Sequence, residues 1–230
     1  MAEKSSFYFT IGGRMEEQKS FKRRVLEAVI KNAYSYKEYY VKYEYLLCSR
    51  AFMKADYYIV NAFEDNYLHL TGLHTELDAS TFFTKCYNGT LTESDFDFCK
   101  NGQNEKAVKG SVRRKINSLS TIMDLFIEGT IVEEDFEKNK IKCAFAAGNV
   151  CSTLGFVVAG TARPMTLLKG NELKAEKAKE LDLVLRRRTG EKHFSEIIIG
   201  TTDNLKEHKD TLWDLLSEEL CLRMSDSMTE

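Results

Sequence analysis

The sequence has few histidines and no long apolar run, and these features argue against zinc-binding and membrane-spanning proteins. No apolar stretch approaches the ~20 residues that a membrane-spanning helix needs. The first four residues lack the charged-then-apolar layout of a secretory signal. No CxxC pair and no histidine at zinc-ligand spacing accompany the six scattered cysteines, Cys48, Cys86, Cys99, Cys143, Cys151 and Cys221. We therefore expect a cytoplasmic protein with free thiols, no metal, no cofactor and no membrane partner.

The sequence also lacks an excess of charge of one sign, since its 33 basic and 35 acidic residues give a net charge of −2. A protein that its overall field draws to nucleic acid is usually clearly basic. Any RNA contact must therefore come from a local patch. The basic runs of the sequence are Arg113, Arg114 and Lys115, and Arg186 to Arg188.

The pattern of apolar residues predicts an α+β fold. Helical periodicity marks a helix from residue 16 to about 40, a helix with Ser80 as its N-cap, and helices at 111–127, 171–188 and 205–222. Apolar runs predict strands at 43–48 and 55–63 (a hairpin), at 141–147, 154–160 and 164–168 (a meander), and at 193–200. None of these strands has enough partners alone, so one sheet should join them. We divide the chain into an N-terminal extension and helix (1–40, with 1–15 loosely attached), a core (41–202) and a C-terminal helix and tail (203–230).

Six tyrosines lie between Tyr34 and Tyr45. Tyrosines at helical spacing are typical of the rim of a core, where the rings are buried and the hydroxyls reach water. The other interpretation is a platform on which nucleic-acid bases stack. The sequence leaves both open.

Three groups of motifs are more specific than periodicity. They are Asn66-Tyr67-Leu68-His69-Leu70-Thr71-Gly72-Leu73, then Leu154-Gly155-Phe156 with Pro164-Met165-Thr166-Leu167-Leu168-Lys169-Gly170, and finally Val184-Leu185-Arg186-Arg187-Arg188 running into Phe194-Ser195-Glu196-Ile197. Over residues 40–200 the chain resembles the phage-associated Barnase–EndoU–colicin–RelE-like nuclease families, most closely the fourth. The first helix and the tryptophan-bearing C-terminal helix depart from that pattern. The resemblance implies a twisted antiparallel sheet with helices packed mainly on one face, as in metal-independent RNases and ribosome-dependent toxins of bacterial cells.

A metal-free RNase needs a general base, a general acid and donors for the phosphoryl oxygens. His69 in the first motif is the candidate acid/base, or else a turn histidine bonded to a backbone carbonyl. Thr71, on the same face if the segment is extended, either contacts phosphate or stabilises the turn. Lys169 is either the phosphate cation or an edge-strand lysine. Substrate binding is assigned to Arg163, Thr166, Arg113, Arg114, Arg187 and His193. The alternative for His193 is a structural role at the start of a buried strand, and His74 and His208 are interpreted as loop and surface residues.

Two functions follow from this resemblance. The first is a phage or mobile-element endoribonuclease that leaves a 2′,3′-cyclic phosphate on structured RNA, such as tRNA or ribosome-bound mRNA. The second is a catalytically inactive nuclease fold that binds and regulates a host or phage protein. The two motifs with His69 and Lys169 favour the first function. The near-neutral charge and the long tyrosine-rich N-terminal helix favour the second. The oligomeric state stays open.

Overall fold

The structure is a computed structural model that describes residues 19–123, 125–126 and 129–226. The start expected at residues 1–15 lies outside this part. The strands in chain order are β1 (Tyr43–Cys48), β2 (Tyr58–Asn61), β3 (Ile131–Glu134), β4 (Glu137–Lys138), β5 (Ile141–Lys142), β6 (Phe145–Gly148), β7 (Ser152–Ala159), β8 (Thr161–Lys169), β9 (Lys179–Glu180), β10 (Leu183–Arg188) and β11 (Glu196–Ile199). Nine of those strands form one sheet in the order β11-β10-β1-β2-β8-β7-β6-β3-β9, and β4 and β5 form a separate ribbon. Within the sheet only β2 and β8 pair in parallel. The expectation that one sheet joins both halves of the chain is confirmed.

The helices are α1 (Phe21–Tyr36), which continues as a π-helical segment (Lys37–Val41), α2 (Asn66–Thr71), α3 (Ala79–Tyr87), α4 (Glu105–Leu119), α5 (Thr202–Glu207), α6 (Lys209–Leu212) and α7 (Glu218–Asp226). None of the described helices is long and apolar enough to cross a membrane. The first four pack on one face of the sheet, which we call the helix face. Their side chains share a core with the strand residues Leu47, Val60, Leu154, Ala162 and Leu167.

The described part of the chain covers the opposite face, which we call the open face, only at its two ends. At one end α5, α6 and α7 pack on Leu46, Cys48, Leu183 and Leu185. At the other end the β4–β5 ribbon and Leu173 cover Cys143 and Ala146. The fold is therefore α+β, as expected, with four helices on one face and a C-terminal helical group on part of the other.

The predicted helix at 171–188 is wrong: this segment is a loop followed by β9 and β10. Leu183, Val184 and Leu185 are all buried, because β10 pairs with both β1 and β11 and is covered on both faces. A fully buried strand loses its polar alternation, so its apolar residues also fit a helical period. The correction matters for the site, because it moves Arg186, Arg187 and Arg188 onto a strand where neighbours point to opposite faces.

Three smaller predictions also need correction. Asp78, not Ser80, caps α3, since its carboxylate accepts a hydrogen bond from the Thr81 amide at 2.9 Å. The helix predicted from residue 111 begins at Glu105, so Arg113 and Arg114 lie in its middle. The single helix predicted at 205–222 is broken near Leu216, which is extended and pairs with Phe194.

Candidate active site

A row of four polar side chains crosses the open face between its two covered ends. Arg187 on β10 lies opposite Glu44 on β1, and Glu44 lies opposite Asn61 on β2. Because Val60 pairs with Ala162 in the parallel β2–β8 ladder, Asn61 lies beside Arg163 on the same face. We call Arg187, Glu44, Asn61 and Arg163 the polar row. With two guanidinium groups and one carboxylate it carries a net positive charge, which the molecule as a whole does not.

The centre of the polar row is a buried ion pair. The Arg187 Nε and Nη2 atoms both lie 2.6 Å from Glu44 Oε2, and the two side chains are only 15% and 9% exposed. The other carboxylate oxygen, Oε1, accepts a hydrogen bond from Asn61 Nδ2 at 2.7 Å. Both oxygens of Glu44 are therefore fixed in direction.

The other half of the row has unused hydrogen-bonding capacity. Asn61 Oδ1 is a buried acceptor and Arg163 Nε a buried donor, and no described residue partners either atom. Buried polar atoms are seldom left unpaired, and such atoms mark places where water or a ligand supplies the partner. Beside them the Arg163 guanidinium lies 4.4 Å from the centre of the Phe63 ring, which is 38% exposed at the rim of the row.

The loop before His193 contacts the Arg187 end of the row. Arg187 Nη1 donates to the carbonyl of Lys192 at 2.6 Å, and the next residue, His193, is partly exposed. The following residue, Phe194, is buried, and the centre of its ring lies 4.3 Å from the Arg187 guanidinium. The C-terminal segment holds Phe194 in place, since its amide donates to the Leu215 carbonyl and its carbonyl accepts from the Ser217 amide.

The motif that contains His69 forms a helix end rather than an extended segment, so the prediction that His69 and Thr71 project together is wrong. His69 is exposed on α2, in the helix layer. Thr71 is fully buried, and its hydroxyl donates to the Leu68 carbonyl and accepts from the Leu73 amide. Gly72 ends the helix at φ +71°, and Lys115 Nζ donates to the His69 carbonyl at 2.7 Å. This geometry matches the turn-stabilising interpretation of Thr71.

Lys169 and Thr166 do not join the polar row. Lys169 is exposed at the end of β8, six residues beyond Arg163, or roughly 20 Å at the usual rise per residue. It comes two residues after Leu167 of the shared core, which places it on the helix face. Thr166 is on the open face but is buried, where it packs near Cys143 and Gly155.

The basic residues of α4 lie in the helix layer. Arg113 covers the Phe21 ring at 5.2 Å, and Arg114 is exposed. Of the predicted substrate-binding residues, Arg163 and Arg187 belong to the polar row, His193 follows a residue bonded to Arg187, and Arg113, Arg114 and Thr166 lie elsewhere.

Sequence comparison agrees with this architecture. The family model described as phage-Barnase-EndoU-ColicinE5/D-RelE like nuclease4 matches residues 28–203. The chain therefore belongs to this family of nuclease-like proteins. No curated protein and no solved structure gives a significant match. The matched region contains the whole polar row and His193, and it ends before α6 and α7.

Glu44 and Asn61 were missed from the sequence, although one signal was present. Glu44 occupies the second position of Tyr43-Glu44-Tyr45-Leu46-Leu47-Cys48, a strand whose other residues are apolar or aromatic. Charged residues are almost never buried unless they are paired. A carboxylate in such a strand therefore needs a cationic partner. The helical interpretation of residues 171–188 concealed that this partner is Arg187.

Proposed function

We propose that the protein is a metal-independent endoribonuclease whose active centre is the polar row with His193. Glu44 accepts the proton of a ribose 2′-hydroxyl, whose oxygen attacks the adjacent phosphorus. His193 protonates the 5′-oxygen as the P–O5′ bond breaks. Arg187 and Arg163 donate hydrogen bonds to the phosphoryl oxygens, which gain charge in the transition state. The products are a 2′,3′-cyclic phosphate and a free 5′-hydroxyl.

One observation supports this proposal above the others: a carboxylate fixed by two partners lies between two guanidinium groups, on the part of the open face that the described helices leave uncovered. General acid–base catalysis needs groups that are positioned before the substrate arrives. Asn61 Oδ1 and Arg163 Nε add hydrogen-bonding sites that no described residue uses.

The role predicted for His69 and Lys169 stays a prediction and has its own test. Both side chains are exposed, but His69 belongs to the helix layer and Lys169 to the far end of β8. If His69 is the general acid/base, its replacement by alanine abolishes cleavage. If the polar row is the centre, the same replacement leaves the rate within a few-fold of the original.

The test is incubation of 5′-labelled RNA with the protein in EDTA, with mass analysis of the new ends. We expect cleavage that leaves 2′,3′-cyclic phosphates, and no cleavage of the same sequence made with 2′-deoxyribose. Replacing Glu44 by glutamine should lower the rate by ~10²–10⁴. Undiminished cleavage by that variant would refute the assignment, and RNA binding without cleavage by the original protein would favour the regulatory binding module.

A further inference from the structure

We propose that an aromatic track on the surface, formed by Phe63, Lys37, Tyr87 and Tyr34, binds a single-stranded segment of RNA that leads away from the polar row. The inference rests on the proposed function and adds a substrate class to it. Single-stranded loops of folded RNA are the substrates that fit.

The outer end of the aromatic track is a rigid stack of rings. Tyr34 is 59% exposed, and its ring lies 6.0 Å from the Tyr87 ring with an angle of 11° between the planes. Tyr87 in turn stacks on the buried Phe83 at 6.1 Å and 22°. A ring that is supported from below and exposed above offers a flat face to a base without losing side-chain freedom on binding.

The track is continuous with the polar row. Lys37 Nζ lies 4.5 Å from the centre of the Tyr87 ring and pairs with Glu64 at 2.8 Å. Glu64 follows Phe63, whose ring covers the Arg163 guanidinium. The carbonyl of Phe63 is fixed by the hydroxyl of Tyr36 at 3.1 Å. An RNA strand bound at Arg163 therefore reaches Phe63 first and the pair of Tyr87 and Tyr34 next.

The exposure of Tyr34 is not a by-product of core formation. Tyr36, Tyr40 and Tyr45 of the same run are buried. Their rings lie in the core, as the structural interpretation expects, but their hydroxyls donate to backbone carbonyls instead of reaching water. Tyr34 contributes a ring face to the surface instead.

The chemistry of the track favours single-stranded RNA over duplex and over a purely charge-driven ligand. A duplex hides the faces of its bases, whereas unpaired bases stack on aromatic side chains whatever their sequence. The two lysines nearest the tyrosines are neutralised, Lys37 by Glu64 and Lys42 by Glu38. Stacking must therefore supply most of the affinity, so the contribution of Tyr34 should change little with salt.

The test measures binding of a fluorescent, fully 2′-O-methylated octanucleotide without secondary structure, which the protein cannot cleave. Tyr34→Ala should weaken its affinity on the order of 10-fold, by the same factor at low and raised salt. Tyr39→Ala is the matched control, because Tyr39 is 46% exposed in the same run but stacks on no ring of the described residues. Its affinity should equal that of the original protein.

Equal affinities of the Tyr34→Ala and original proteins would contradict the proposal that the aromatic track binds RNA. Equal losses of affinity in Tyr34→Ala and Tyr39→Ala would also contradict it. A loss that is as large for a duplex of the same sequence would also overturn it. Cleavage of a dinucleotide by the Tyr34→Ala protein separates the two proposals. If the original protein cleaves RNA and Tyr34→Ala impairs neither binding nor cleavage of long strands, only the track fails. If the original protein neither binds nor cleaves RNA, both fail.

Discussion

Replacing Arg187 by methionine should destabilise the fold by about 3–5 kcal/mol. The change removes the counter-charge of Glu44, a carboxylate whose side chain is 9% exposed, and leaves Asn61 as its remaining partner in the row. Removing one member of a buried ion pair costs this much because the other charge stays desolvated and uncompensated. The small values measured for surface pairs do not apply at such burial. Urea unfolding at neutral pH measures the loss as a shift of the midpoint at constant slope.

A second replacement shows whether the uncompensated charge is the cause. Glu44→Gln in the Arg187→Met background keeps an acceptor for Asn61 and removes the buried charge, so the double variant should be more stable than Arg187→Met alone. Arg114→Met, at an exposed position of α4, should change stability by no more than about 0.5 kcal/mol. A cost below about 1 kcal/mol for Arg187→Met, or no recovery in the double variant, would refute the reasoning.

Three further experiments test individual contacts. Gly72→Ala should cost more stability than Gly89→Ala. Both glycines have positive φ, but only at Gly72 would an added Cβ meet a neighbouring atom, Lys115 Cδ at 2.8 Å. Thermal unfolding of both variants measures the difference. Burial, with a contribution from a nearby lysine, lowers the pKa of Lys115 to about 8, below the ~10.4 of an unfolded lysine. The unfolded chain therefore binds more protons between these values, so the stability difference between the original protein and Lys115→Met should rise with pH over that window. Phe194→Leu should lower turnover more than Leu220→Ala at a matched loss of stability, because Phe194 contacts Arg187 of the polar row whereas Leu220 belongs to the apolar cluster under the C-terminal helices.

The hairpin and the meander were predictable from the sequence because their strands have one clear pattern each. Residues 43–63 and 141–168 alternate short apolar runs with turns, and the structure pairs them as expected. The capping box of Thr92 and Asp95 is local in the same way, since the Thr92 amide donates to the Asp95 carboxylate at 2.7 Å. These features depend on residues that are close together in the sequence, so the local pattern is enough to predict them.

The polar row was not predictable because it depends on strands distant in the sequence. Arg187 meets Glu44 across 143 residues, and only the β1–β10 pairing brings them together. Residues 171–188 carry leucines at helical spacing, so nothing local indicated a strand. Histidine-based reasoning led to His69, whereas the buried carboxylate at Glu44 needed a partner that the sequence did not identify.

The central claim is that RNA is cleaved at the polar row and not at the motif containing His69. Its most direct test compares the single-turnover cleavage rates of Glu44→Gln and His69→Ala on one RNA in EDTA, with folding of both variants verified by circular dichroism. The account predicts that Glu44→Gln loses ~10²–10⁴ of the rate while His69→Ala stays within a few-fold of the original. A folded His69→Ala protein without activity, beside a Glu44→Gln protein that cleaves at the original rate, would contradict it.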